Sequence, residues 1–143
     1  MATDIRHSDT ERLLLRRALQ LVTAAALAVS AAIHADLAPG YDAIGADLTQ
    51  GTLFRLEAAV AALAALLVLV AGRRRAVWMF AALVSASALG VLFLYRYVDV
   101  GAIGPLPNMY EPAWFPEKTT TAIAEAVATV TAIAGFLTTR RPH

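Results

Sequence analysis

Residues 52–98 read TLFRLEAAVAALAALLVLVAGRRRAVWMFAALVSASALGVLFLYRYV, two long apolar stretches joined by Arg73-Arg74-Arg75. At ~1.5 Å per helical residue, a stretch of about twenty residues crosses a hydrocarbon core of roughly 30 Å. So short a link allows little but an antiparallel hairpin whose two helices pack side by side. Two further stretches of the same kind flank this pair, so spans are predicted at approximately 18–35, 52–72, 76–98 and 118–138. The composition agrees: 59% of residues are apolar and the mean hydropathy is +0.61, beyond what a soluble domain of this size carries. The expected fold class is an all-α membrane protein, an antiparallel four-helix transmembrane bundle.

The net charge of +1 says little, but the placement of the 12 basic residues says more. Arg6, Arg12, Arg16 and Arg17 precede the first span, Arg73, Arg74 and Arg75 link the second and third, and Arg140 and Arg141 follow the fourth. Only Arg55, Arg96 and Lys118 fall on the other side. The positive-inside rule then places both termini in the cytoplasm (N-in/C-in), the two longer loops outside, and the chain in the cytoplasmic (inner, plasma) membrane as a multi-pass protein. Residues 1–17 are expected to form a cytoplasmic amphipathic segment with Leu13, Leu14 and Leu15 towards lipid, and residues 139–143 a cytoplasmic tail. A cleaved signal peptide is the competing reading of the first span, since Ser30 and Ala32 have the required spacing; the length of the apolar stretch favours a helix that stays.

The chain has no cysteine, which excludes disulfides, thiolate metal sites and thiol catalysis by its own residues. Of its 3 histidines only His34 is near the membrane, His7 and His143 lying in the tails. No metal and no cofactor are expected. Alanines recur at four-residue spacing, as at Ala58 and Ala62, Ala61 and Ala65, and Ala124, Ala128 and Ala132; such stripes let helices approach closely in lipid, giving a tight bundle without a wide pore. No internal repeat suggests a duplicated transporter half.

Helical periodicity shows where the rare polar residues point. On span four, Glu125 centres a stripe with Lys118, Thr121, Ala122, Ala128, Thr129 and Ala132, opposite Ile123, Val127 and Val130. Counting ~1.5 Å per residue from Glu117 puts it about 12 Å deep. On span two, Leu56, Leu63 and Leu67 form the lipid face, with Arg55 and Glu57 flanking a stripe of Ala58, Ala61 and Ala65. Span one places Gln20, Thr23, Ser30, Ala31 and His34 on one face, and span three ends at Tyr95, Arg96 and Tyr97. Glu125, Arg55, Glu57, His34 and Arg96 are therefore the expected intramembrane polar cluster, in the outer half of the bundle. An ionised carboxylate at that depth costs at least ~2.5 kcal/mol on insertion scales, so Glu125 needs a partner or a proton. Arg55 is the first expected partner, with His34 or Lys118 behind it, and Glu57 is matched with Arg96.

The acidic loop from Asp36 to Gly51 lacks calcium-loop spacing and reads as solvated. The segment from Asp99 to Pro116, with Pro105, Pro107, Pro112 and Pro116, cannot be regular helix. Its Tyr110, Trp114 and Phe115 form either an outer lid over the cluster or simple interfacial anchors.

The strings AAIHADLAPGYDAIG, LFRLEAAVAAL, YRYVDVGAIGPLPNMYEPAWFPEK and AIAEA resemble the small, uncharacterised four-span membrane proteins of high-GC Gram-positive bacteria. The resemblance extends over most of the chain and implies a membrane bundle; it carries no activity and no functional residue. The role expected first is that of a non-catalytic accessory or scaffolding subunit of a membrane complex, the polar cluster locking helices in register. The alternative is a small-molecule or ion-binding, or proton-linked transport, protein loaded from the outer side. An intramembrane enzyme lacks a recognisable nucleophile with its base, and no catalytic residue is assigned. Expected partners are the lipid bilayer, a membrane protein or a second copy of the chain, and a small ligand, with no nucleic acid.

Overall fold

The computed structural model describes residues 2–45 and 47–139, with side chains from residue 9 onward. The side chains of Arg6 and His7, and Arg140, Arg141 and the rest of the tail to His143, lie outside the described residues. Four α-helices make up the described chain: α1 (Ala2–Leu37), α2 (Gln50–Ala71), α3 (Arg75–Tyr97) and α4 (Pro116–Thr138), with a 3-10 turn at Ala38–Tyr41. All four are long and apolar enough to cross a membrane, and among the described residues there is no strand, only an isolated bridge between Ile103 and Leu106. This is an all-helical chain of the multi-pass membrane kind.

Local chemistry sets the boundaries. Thr49 caps α2 by accepting the Thr52 amide at 3.1 Å, and Pro116 opens α4, where its missing N–H is no loss. Residues 2–17 are continuous in backbone with the first span: they open α1, a single helix of 36 residues and so roughly 54 Å. Leu13, Leu14 and Leu15 are all exposed on it.

The helices pack as the small-residue stripes predict, with some corrections. Ala124, Ala128 and Ala132 are buried on α4, while Ile123, Val127 and Val130 face outward. On α2 the buried stripe is Ala58, Ala61, Ala64, Ala65 and Val68; Ala62 is exposed, and Leu67, expected on the lipid face, packs partly against the core. α1 lies against both α2 and α4, and α3 against α4. The hairpin partners α2 and α3 touch each other least of these neighbours, contrary to the close packing that their short link suggests. They share a core near the link, through Ala64, Ala65 and Val68 on one side and Trp78, Ala81 and Val84 on the other. Further from it, residues of both helices instead line a cavity.

Trp78 explains the close contact near the link. It is fully buried, its indole N–H donates to the Gly72 carbonyl at 2.8 Å, and the face of the ring lies against Gly135 of α4, where a methyl group would overlap it. Gln20 of α1 donates to the Val68 carbonyl at 2.9 Å, Thr23 to Thr131 of α4 at 2.7 Å, and Thr129 of α4 to Ser85 of α3 at 3.0 Å. These hydroxyl and amide groups are thus paired between helices, while Arg75 Nε at the turn is buried without a hydrogen-bond partner and its guanidinium lies over the Phe136 ring at 3.9 Å.

Because nothing can yield around Trp78, Gly135→Ala is expected to destabilise the detergent-solubilised protein by about 1–3 kcal/mol, the usual cost of overpacking, and Trp78→Phe in the same chain should recover part of the loss. Thermal unfolding measures both. An unchanged midpoint for Gly135→Ala would contradict the packing.

Candidate functional site

The other end of the bundle is built differently. The C-terminal parts of α1 and α3 and the N-terminal parts of α2 and α4 line, with the segment 98–115, a half-open cavity of about 520 Å³. Its walls are mostly aliphatic and aromatic. The polar groups among them are few: His34, Gln50, Glu57, Ser87, Tyr95, Glu111, Lys118 and Thr121, with the hydroxyl-bearing ring of Tyr41. Small-molecule sites have this make-up, an apolar volume of roughly 300–1,000 Å³ with a handful of placed polar groups.

Glu125 lies behind this cavity wall. It is 1% exposed, and its Oε1 accepts a hydrogen bond from the Ser30 hydroxyl of α1 at 3.1 Å. Its Oε2 has no partner. Ser30 in turn meets His34: the imidazole Nδ1 lies 2.9 Å from the Ser30 carbonyl and 3.4 Å from its hydroxyl. A carbonyl only accepts, so Nδ1 carries the hydrogen, and Nε2 of the neutral ring is left able to accept. Ser30 therefore ties a wall of the cavity to the buried carboxyl through two separate atoms, its carbonyl taking the His34 hydrogen and its hydroxyl giving one to Glu125. One turn before Glu125 on the same face, Thr121 is 3% exposed and lines the cavity, while its hydroxyl is closed off from the cavity surface and has no partner.

The expected pair of Glu125 with Arg55 is not formed. Arg55 turns outward and grips Asp42, in the loop after the 3-10 turn, with two hydrogen bonds of 2.6 and 2.8 Å. That guanidinium holds the Asp42 carboxyl below the usual carboxylate range. A lowered value means the pair is intact at neutral pH and is lost as pH falls through it. Glu57 lines the cavity but does not meet Arg96. The Arg96 guanidinium sits over the rings of Tyr97 and Trp114, at 4.8 and 5.5 Å from their centroids. Of the five residues expected to cluster, the structure brings together Glu125 and His34 through Ser30, sets Glu57 on the same cavity, and sends Arg55 and Arg96 elsewhere.

The segment over the cavity is tied down rather than loose. Asp99 accepts from the Gly101 amide and from Asn108, at 3.2 and 3.0 Å, and the Glu111 amide donates to the Tyr95 carbonyl at 3.0 Å. Lys118 donates to the carbonyls of Glu111 and Ala113 at 2.6 and 2.9 Å. Of the three expected lid residues only Phe115 reaches the cavity; Tyr110 and Trp114 are exposed, and Trp114 packs edge-on against Phe93. Sequence reasoning missed Tyr41 and Phe54, whose rings pack at 4.9 Å, with His34 edge-on to Phe54 at 5.3 Å. A single aromatic in an aliphatic span gives no signal of facing a cavity. Among the described residues no three histidine, aspartate or glutamate side chains come together as a metal cage.

A double-mutant cycle separates the observed contact from the expected one. Ser30→Ala and Glu125→Leu should couple by at least ~0.5 kcal/mol in unfolding free energy, whereas Arg55→Ala and Glu125→Leu should be additive within about that amount. Coupling to Arg55 instead of Ser30 would contradict the geometry.

Compared with known proteins, the chain matches no family model, and it is similar to no curated protein and no solved structure, so its own geometry is what bears on function.

Proposed function

We propose that this chain is a non-catalytic protein of the cytoplasmic membrane, an antiparallel four-helix bundle with both termini in the cytoplasm, that binds a small amphiphilic molecule in the outer half of the bundle. The observation that carries this reading is the apolar cavity, with the His34 imidazole and the Glu57 carboxyl among its few polar walls and the unpartnered Thr121 hydroxyl buried just behind one of them. A buried polar atom without a partner costs about 1–3 kcal/mol, and a rotation about the Thr121 Cα–Cβ bond that turns the hydroxyl to the cavity would let a ligand atom relieve that cost. The free Nε2 of His34 offers a second contact, and Glu57 a third.

Binding fits better than transport because the polar groups meet open space at one end only. From Glu125 towards the arginine turn at Gly72–Arg74, the interior is closed by Trp78, Val68, Leu27 and Ala64, each at most 1% exposed. Threonine and serine hydroxyls there bond to one another or to their own helix backbone, leaving no second cavity side for release. The accessory or scaffolding role stands as the alternative. It would use the outward faces of the helices, whose exposed side chains are mostly apolar and single out no docking surface.

The absence of cysteine makes labelling direct. A cysteine at Ala88, which lines the cavity, should react with N-ethylmaleimide in the folded, detergent-solubilised protein, and one at Ala132, fully buried, should not. Positions such as Ala31, Ala58 and Ala122 are buried away from the cavity and would not report on it. In intact cells a membrane-impermeant reagent should reach a cysteine at Ala43 and not one at Arg74. A protected Ala88 position would mean a sealed interior and favour the accessory role; an accessible Arg74 position would overturn the proposed orientation.

A further inference from the structure

Where a ligand enters is written in the exposure of the cavity walls. Leu56 and Val60 of α2 and Val91 and Leu94 of α3 line the cavity, yet none is closed in by protein, their exposure running from 37% for Val60 to 55% for Leu56. Two helices that touch little at this level, each presenting apolar side chains both inward and outward, bound a gap that faces lipid. On the side towards water the cavity is covered by the segment 98–115, pinned through Lys118, Glu111 and the Asp99 turn. The open side is therefore the lateral one.

The chemistry of the walls narrows the class. Tyr41, Phe54 and His34 form a packed aromatic group on one side, and Tyr95 and Phe115 lie on the others, which suits a flat ring. The groups free to meet a ligand are neutral or acidic: His34 Nε2 accepts, and the buried Thr121 hydroxyl, once its side chain turns to the cavity, donates or accepts. An anionic head is disfavoured, because Glu57 and Glu111 line the same space and the ammonium of Lys118 is already held by two backbone carbonyls.

We propose that the cavity is entered sideways from the lipid, between α2 and α3, by an amphiphile of isoprenoid-quinone chemistry, its hydrogen-bonding ring lodged beside Thr121 and His34 and its apolar chain trailing out past Val60 and Val91. The inference rests on the binding role proposed above and adds to it a route and a ligand class. A ring carbonyl accepts from Thr121 and a ring hydroxyl donates to His34 Nε2, so either oxidation state of the ring finds a partner. A cavity of about 520 Å³ holds such a ring and the start of its chain and leaves the remainder in lipid.

The test uses the whole purified protein in detergent and a naphthoquinone carrying one short isoprenoid chain, followed by tryptophan quenching in stopped flow and by equilibrium titration. Val60→Trp with Val91→Trp should slow association at least ~10-fold at an unchanged unfolding temperature, since both side chains are at the lipid surface, while Leu83→Trp, exposed but outside the cavity, should leave the rate alone. Thr121→Val should weaken equilibrium binding about five-fold, the worth of one hydrogen bond near 1 kcal/mol, without slowing association. Equal rates for all the tryptophan variants would overturn the lateral route. Binding of a monoacylglycerol but not of the quinone would overturn the ligand class and leave the binding role standing. If neither probe binds and the protein extracted from its own membrane carries no small molecule, the binding role itself fails.

Discussion

A carboxyl side chain enclosed among helices must be given its hydrogen bonds by the protein, and Glu125 receives one, from Ser30 across the contact between α1 and α4. That contact needs the two backbones close together, which the alanines at 124, 128 and 132 allow. With α1 and α4 drawn together in this way, α2 lies on α1 and α3 on α4. The loosest neighbouring pair is then α2 with α3. Near their link Trp78 fills the space between them and Gly135 lets it in; further along no such side chain is present, and the space stays open as the cavity.

The two ends of the bundle thus follow opposite rules from the same alanine-rich composition. At the arginine turn a large indole and a set of paired hydroxyls complete the packing. At the other end the large side chains, Phe54, Tyr41, Tyr95 and Phe115, stand around a space instead of filling it. The Thr121 hydroxyl buried behind that wall has no partner, a cost of the kind that a ligand can relieve. A binding protein regains it each time the site is occupied.

Much of this fold was legible in the sequence because membrane spans are long and their faces are marked. The four helices, the burial of Glu125 with Thr121 and Ala128, and the shared face of Gln20, Thr23 and Ser30 all follow from length and a period of 3.6. The partners were less legible. Arg55 was matched to Glu125 by sign and depth, but a guanidinium near a helix start reaches a loop carboxylate in water at far lower desolvation cost than it reaches one inside the bundle, and Asp42 is there. Ser30 shares the face that meets Glu125, but a hydroxyl carries no charge to match, so the sequence does not mark it as the partner. The splaying of α2 from α3 left no mark at all, since it depends on how four helices share space and not on the three arginines that join two of them.

The central claim is that the space beside Thr121 and His34 is an occupied binding site. Native mass spectrometry of the protein taken from its own membrane in lipid particles tests it most directly. The account predicts one bound small molecule per chain in the wild type, released by activation energies that leave the fold intact, and its loss in Thr121→Phe at an unchanged unfolding temperature. Equal, non-stoichiometric lipid adducts on the wild type and on Thr121→Phe would contradict it.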